Sequence, residues 1–250
     1  MAAVEQRIRK RDRIKARTRR FVELPLRLRT SDLPKRAASA AAMLLVAGTA
    51  LWLGGGWLDA FIALVAAVCL AELIRLVRRA TPHSGFRTAG VMGGAIYIAT
   101  AALFLASIAP AFLLELALGV VATDTGAYFA GRVIGGPKLA PRISPSKTWA
   151  GLVGGAVFAA LALGIEAAVT ADTDGSALLA VGAAAAFGVI IAVVAQSGDL
   201  LESWLKRKAK MKDSSNLIPG HGGVFDRVDG FVAVAFAVAV IGAPGLLDLW

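Results

Sequence analysis

Four aspartates in or beside apolar runs define the chemistry within reach. Asp199 closes the run Gln196-Ser197-Gly198-Asp199, and Asp226 and Asp229 stand three apart in Val224-Phe225-Asp226-Arg227-Val228-Asp229. Residues at i and i+3 share a helix face, so Asp226 and Asp229 present two carboxylates together wherever the chain is helical. Such oxygen donors suit Mg²⁺, which keeps several waters and shares substrate phosphates. They equally suit ion pairs with the Lys and Arg around them. Asp124, in Asp124-Thr125-Gly126-Ala127-Tyr128, lies inside an apolar run. At about 1.5 Å per residue it sits roughly 9 Å from the end of that run. A carboxylate at such depth is costly and marks function by default.

Phosphate chemistry is offered by Ile143-Ser144-Pro145-Ser146-Lys147-Thr148. Placed at the start of a helix, Ser144, Ser146, Lys147 and Thr148 would add a cation to free N–H groups and a positive dipole end. An N-cap with a lysine snorkelling to the interface fits the same residues. His221, between the glycines of Pro219-Gly220-His221-Gly222-Gly223, suits phosphate contact, proton transfer or a turn. His83 reads as a solvated loop residue. Glu72, Glu115 and Glu166 lie near helix ends and read as structural. Cys69 is the lone cysteine; it excludes an internal disulfide or a cysteine zinc site and reads as packing.

The elements that must carry these residues are membrane helices. The chain is 57% hydrophobic and 18% charged, against about 45–50% and about 25% in soluble domains. Seven runs, 37–53, 58–77, 88–109, 111–130, 149–170, 177–197 and 231–249, reach the length of about 20 residues that a spanning helix needs. Backbone groups in lipid must satisfy one another, which makes these runs helices; the short alternating segments of a β-barrel are absent. The expected class is an all-α polytopic integral membrane protein with two parts. Residues 1–36 form a basic arm and 37–250 the membrane domain. Within the arm, residues 5–29 fit an interfacial helix or a disordered segment. Its length and the lack of a small-residue cleavage site argue against a signal peptide. Gly93–Gly94 and Gly151, Gly154 and Gly155 are expected to pack helices closely.

Threading seven spans with the N-terminus in the cytosol puts every Lys and Arg on one side, as the positive-inside rule requires. Thirteen of the 27 precede the first apolar run, between Arg7 and Arg36. That position suits anionic lipid headgroups, and the net charge of +10 is accordingly not read as a nucleic-acid surface. Two long polar loops, 131–148 and 197–230, fall on the basic side, where loops that carry function are expected. A transporter using Asp124 as an ion site would need inverted repeats, and none is evident. A bare membrane anchor leaves both loops unexplained.

The residues from Ser203 to Asp229 resemble the signature of the phosphatidate cytidylyltransferase (CDP-diacylglycerol synthase) family: Ser, two residues, Lys-Arg, four residues, Lys-Asp, then Pro-Gly-His-Gly-Gly and Asp-Arg-x-Asp. Each position is filled, from Ser203, Lys206 and Arg207 through Lys212, Asp213 and Pro219 to Asp229. The Asp124–Tyr128, Ile143–Thr148 and Gly198-Asp199-Leu200 segments resemble the family too. The resemblance covers the second half of the chain. It implies transfer of the cytidylyl group of CTP to phosphatidic acid, releasing pyrophosphate, at the cytosolic face of a bacterial cell inner membrane. It further implies Asp199 and Asp226 as Mg²⁺ ligands, with a second cation left open, and Asp124 and Asp229 as supporting catalytic groups. Ser144, Ser146, Lys147, Ser203, Lys206, Arg207 and Arg227 would bind substrate phosphates, Lys147 also serving catalysis. His221, Gly222 and Gly223 would shape the nucleotide loop. CTP, phosphatidic acid and membrane lipid are the expected partners, and a homodimer is compatible with them. Ala150 departs from the Glu or Gln common in the family, and the stretch between Glu72 and Arg87 is short. The nearest rival is a CTP-dependent kinase of a long-chain alcohol, which lacks the full Ser203–Asp229 pattern.

Overall fold

The structure, a computed structural model, describes residues 33–170 and 177–242. Among them are seven long helices: α1 (Leu33–Leu53), α2 (Gly55–Ala80), α3 (Ser84–Ser107), α4 (Pro110–Val133), α5 (Trp149–Thr170), α6 (Ala177–Lys208) and α7 (Phe225–Gly242). The first six are long and apolar enough to cross a membrane. In α7, Asp226, Arg227 and Asp229 crowd the first turns and dilute its apolar character. Of the expected arm at 1–36, residues 1–32 lie outside the described residues, as do the outer connection at 171–176 and the end of the last span at 243–250; residues 33–36 instead form the first turn of α1. The protein is an all-α polytopic membrane protein.

Helices α4, α5, α6 and α7 form the packed centre, with α4 against α5, α5 against α6 and α6 against α7; α2 and α3 close one side, α3 lying on α7. Small residues make the closest crossing. A Cβ on Gly126 of α4 would lie 2.5 Å from the Gly154 carbonyl of α5. Gly151, Gly154 and Gly155 all face α4 at this crossing, and Gly94 faces Leu73. Gly93 meets open space instead. Outward, Leu44, Trp52, Leu103, Val121, Ile165 and Leu179 are exposed, as expected of side chains solvated by lipid.

Three differences from the sequence expectation bear on the site. Helix α6 does not stop at residue 197 but continues to Lys208. Its 32 residues span about 48 Å, well beyond a hydrocarbon core of about 30 Å, so its polar end stands in the headgroup region. Helix α7 begins at Phe225, six residues ahead of the apolar run. The segment around Lys147 is not a helix start. It is strand β2 (Ser144–Thr148), antiparallel to β1 (Lys138–Ala140), with Lys138 opposite Thr148 and Ala140 opposite Ser144. The N-cap of α5 is Thr148, whose Oγ1 accepts the Gly151 N–H at 3.0 Å.

Cross-links at one end of the bundle hold the polar loops together. The Ser39 hydroxyl near the start of α1 lies 2.8 Å from His221 Nδ1 and donates to the Pro219 carbonyl. Arg207 at the end of α6 donates to the Ile143 carbonyl of the hairpin. Glu72 of α2 reaches the α6–α7 loop.

Candidate functional site

The site begins with α6. Asp199, Glu202, Ser203 and Lys206 recur at intervals of three and four and so line one face. Ser203 Oγ donates to Asp199 Oδ1 at 3.2 Å, and Lys206 Nζ meets Glu202 Oε2 at 2.5 Å. The next helix comes close because position 198 has no side chain: a Cβ on Gly198 would lie 2.9 Å from the Asp229 carbonyl oxygen. Lys206 thereby reaches across to Asp226 Oδ1, 2.7 Å away. The Asp226 side chain is 3% exposed, so this pair is held in a low-dielectric setting where a missing partner is costly. The other oxygen of Asp226 accepts the backbone N–H groups of Gly223 and Ser214, each at 2.8 Å.

From the opposite side the hairpin delivers Lys147. Its Nζ lies 2.6 Å from Asp199 Oδ2 and 2.7 Å from Gln196 Oε1. Two adjoining cavities result. One, of about 430 Å³, is lined by Asp124, Tyr128, Arg132, Ser146, Lys147, Gln196 and Asp199. The other, of about 320 Å³, is lined by Asp124, Asp199, Lys206, Asp213, Asp226, Arg227 and Asp229. Asp124 and Asp199 belong to both and form their common wall.

Of the residues singled out in the sequence, Asp124, Ser146, Lys147, Asp199, Lys206, Asp226, Arg227 and Asp229 line these cavities. Ser144, Ser203, Arg207, His221, Gly222 and Gly223 line neither. Ser144 is buried beside Ser146, with 3.4 Å between the hydroxyls. Arg207 holds the hairpin, His221 contacts α1, and Gly223 supplies an N–H to Asp226. Asp213, a signature position given no role from the sequence, lines the second cavity, and Gln196 and Arg132 enter the first unannounced by spacing. A lone glutamine ending an apolar run was the signal for Gln196. Glu202, buried against Lys206, was hidden in a stretch read as loop.

The acid-lined cavity sets five carboxylates against Lys206 and Arg227. That excess, with all-oxygen donors, fits a hard cation. Among the described residues no three acidic, His or Cys side chains cluster tightly enough to enclose a metal by themselves. A cation here would take one or two carboxylates and complete its shell with water and phosphate oxygens, the habit of Mg²⁺.

The cytidylyltransferase family model matches residues 108–243, which contain both cavities. Over 124 residues the chain is 50% identical to a phosphatidate cytidylyltransferase of Brucella suis, a match covering 50% of this chain and 44% of that protein. The protein of the same name from Haemophilus influenzae is 46% identical over 126 residues, 48% of this chain and 42% of the relative. That of Bacillus subtilis is 43% identical over 113 residues, 45% and 40% respectively. The matched stretch thus spans less than half the length of these curated relatives.

Proposed function

Because this chain belongs to the cytidylyltransferase family, we propose that it transfers the cytidylyl group of CTP to phosphatidic acid, giving CDP-diacylglycerol and pyrophosphate. The observation that carries this reading is the pair of cavities that share Asp124 and Asp199 and gather lysines, arginines and carboxylates around them. A transfer between two phosphorylated substrates needs two phosphate seats that meet. The cavity with Lys147, Arg132 and Ser146 is also lined by Tyr128, whose ring is exposed, and by Leu152. It suits the headgroup of a lipid whose chains remain in the bilayer. The cavity with Lys206, Arg227 and the acids suits a triphosphate escorted by Mg²⁺. Asp199 and Asp226 would hold the cation, with Asp124 and Asp229 in support.

In the reaction an oxygen of the lipid phosphate forms a bond to the α-phosphorus of CTP. The bond from that phosphorus to the bridging oxygen breaks, and pyrophosphate leaves with the electron pair. A phosphate monoester has its second pKa near 6, so the attacking oxygen is largely ionised at neutral pH and needs no general base. What this chain must supply is charge compensation and alignment. Lys147, anchored between Asp199 and Gln196, holds a cation at the common wall; Lys206 does so beside Asp226. Bound Mg²⁺ would add neutralisation of the triphosphate.

We place the site on the cytosolic face of a bacterial cell membrane. The basic ends of α2, α4 and α6 and the start of α7 gather at the end that carries the polar loops, and CTP is a cytosolic nucleotide. The test is product analysis of the purified chain with radiolabelled CTP, Mg²⁺ and either phosphatidic acid or a long-chain alcohol. Labelled CDP-diacylglycerol with release of pyrophosphate is expected. Label recovered solely on a phosphorylated alcohol overturns the proposal.

A further inference from the structure

Glu72 lies on α2, outside residues 108–243, yet it is tied to the core of the site. It is 5% exposed. Its Oε2 accepts from Ser214 Oγ at 2.8 Å and from the Phe225 N–H at 2.8 Å. Its Oε1 accepts from Ser215 Oγ at 2.5 Å and from the Val224 N–H at 3.1 Å. All four donors are neutral. Ser214 and Ser215 stand within the α6–α7 loop and Val224 and Phe225 at its junction with α7, so one carboxylate ties the loop to the start of the last helix.

The clamp continues to Asp226. Ser214 Oγ is also 2.9 Å from Asp226 Oδ2. That oxygen takes the N–H groups of Ser214 and Gly223 as well, both within the clamped loop. Held at Oδ2 by the two N–H groups, with the hydrogen of the Ser214 hydroxyl shared between it and Glu72, the carboxylate turns Oδ1 to Lys206 at 2.7 Å. The fit leaves no slack: a Cβ on Gly223 would lie 2.5 Å from Glu72 Oε2.

We propose that Glu72 is a positioning residue for the transfer reaction, fixing through Ser214 and Gly223 the direction in which Asp226 faces the cation and triphosphate. This rests on the reading of Asp226 given under Proposed function. Groups that orient a metal-bearing carboxylate typically change affinity or rate by about 10–100-fold when removed.

The experiment compares the full chain with Glu72→Gln, which keeps the shape but turns donors against an amide NH₂, and with Ser215→Ala, which removes one donor to Glu72 and the acceptor of the Leu217 N–H but leaves Asp226 untouched. Hydrogen exchange across residues 212–226 is read first, because it needs no turnover. Exchange about tenfold or more faster in Glu72→Gln is expected, with a smaller change in Ser215→Ala; unchanged exchange overturns the proposal whether or not the chain is active. CDP-diacylglycerol synthesis is read second. The Mg²⁺ concentration for half-maximal rate should rise about tenfold and kcat fall, with KM for phosphatidic acid within about twofold. A variant that loses only thermal stability, with its Mg²⁺ dependence intact, reduces Glu72 to an anchor and refutes the inference. Should Glu72→Gln fail to fold, Ser215→Ala carries the same two readouts. A wild-type chain that makes no CDP-diacylglycerol refutes the function instead, and with it the catalytic part of the inference, while the exchange result still decides whether Glu72 orders the loop.

Discussion

At the scale of single residues the site rests on carboxylates whose two oxygens do different work. Asp226 gives one oxygen to the backbone and one to Lys206. Asp199 gives one to Ser203 and one to Lys147. Substituting Asn for either aspartate keeps the volume and removes the negative charge. Asp199→Asn and Asp226→Asn should each lower kcat by about 10²–10³-fold while circular dichroism and membrane insertion stay as in the parent. Near-normal turnover in both would remove the cation proposal. The aspartates could be picked out from sequence because a charged residue in an apolar run is conspicuous. Lys147 and Lys206 were picked out as well, but not the pairings, since Lys147 and Gln196 are 49 residues apart and Glu72 lies 142 residues from Ser214. Nothing local marks such pairs.

Among the elements, the apolar runs were plain because a bilayer demands length and hydrophobicity together. The ends were not. Polar residues beyond position 197 look like loop, yet Ser197 and Ser203 satisfy themselves within the helix, on the Val193 carbonyl and on Asp199. The β1–β2 hairpin was hidden because Ser144-Pro145-Ser146-Lys147 carries no apolar alternation, and its pairing to Lys138–Ala140 is a tertiary fact. The α6–α7 crossing gives the prediction at this scale. Gly198→Val would press on the Asp229 carbonyl, and overpacking of this kind costs about 1–3 kcal/mol. A lower melting temperature in detergent and loss of turnover are expected. Gly93→Ala, in open space, should change neither, and equal effects from both would show that the crossing is not what aligns Asp199 with Asp229.

For the whole molecule, the testable statement is orientation. Cys69 is fully buried, so the native chain gives little background with a membrane-impermeant maleimide. Trp57→Cys, at an exposed position near the α1–α2 turn, should label in intact cells. Arg142→Cys, exposed at the hairpin, should label only after permeabilisation. The reverse pattern would turn the site outward, away from its nucleotide.

The Glu72 clamp also has a consequence in time. Its acceptor oxygens lie on the second helix, and its last donor, Phe225, is 153 residues further along the chain. At about 5–20 residues per second, a ribosome takes on the order of 8–30 s to produce that donor after Glu72 has emerged. Throughout that interval the nascent α2 carries a carboxylate without its final ligands. Closing the clamp is therefore among the last acts of biogenesis, because an acceptor made early waits for donors made late.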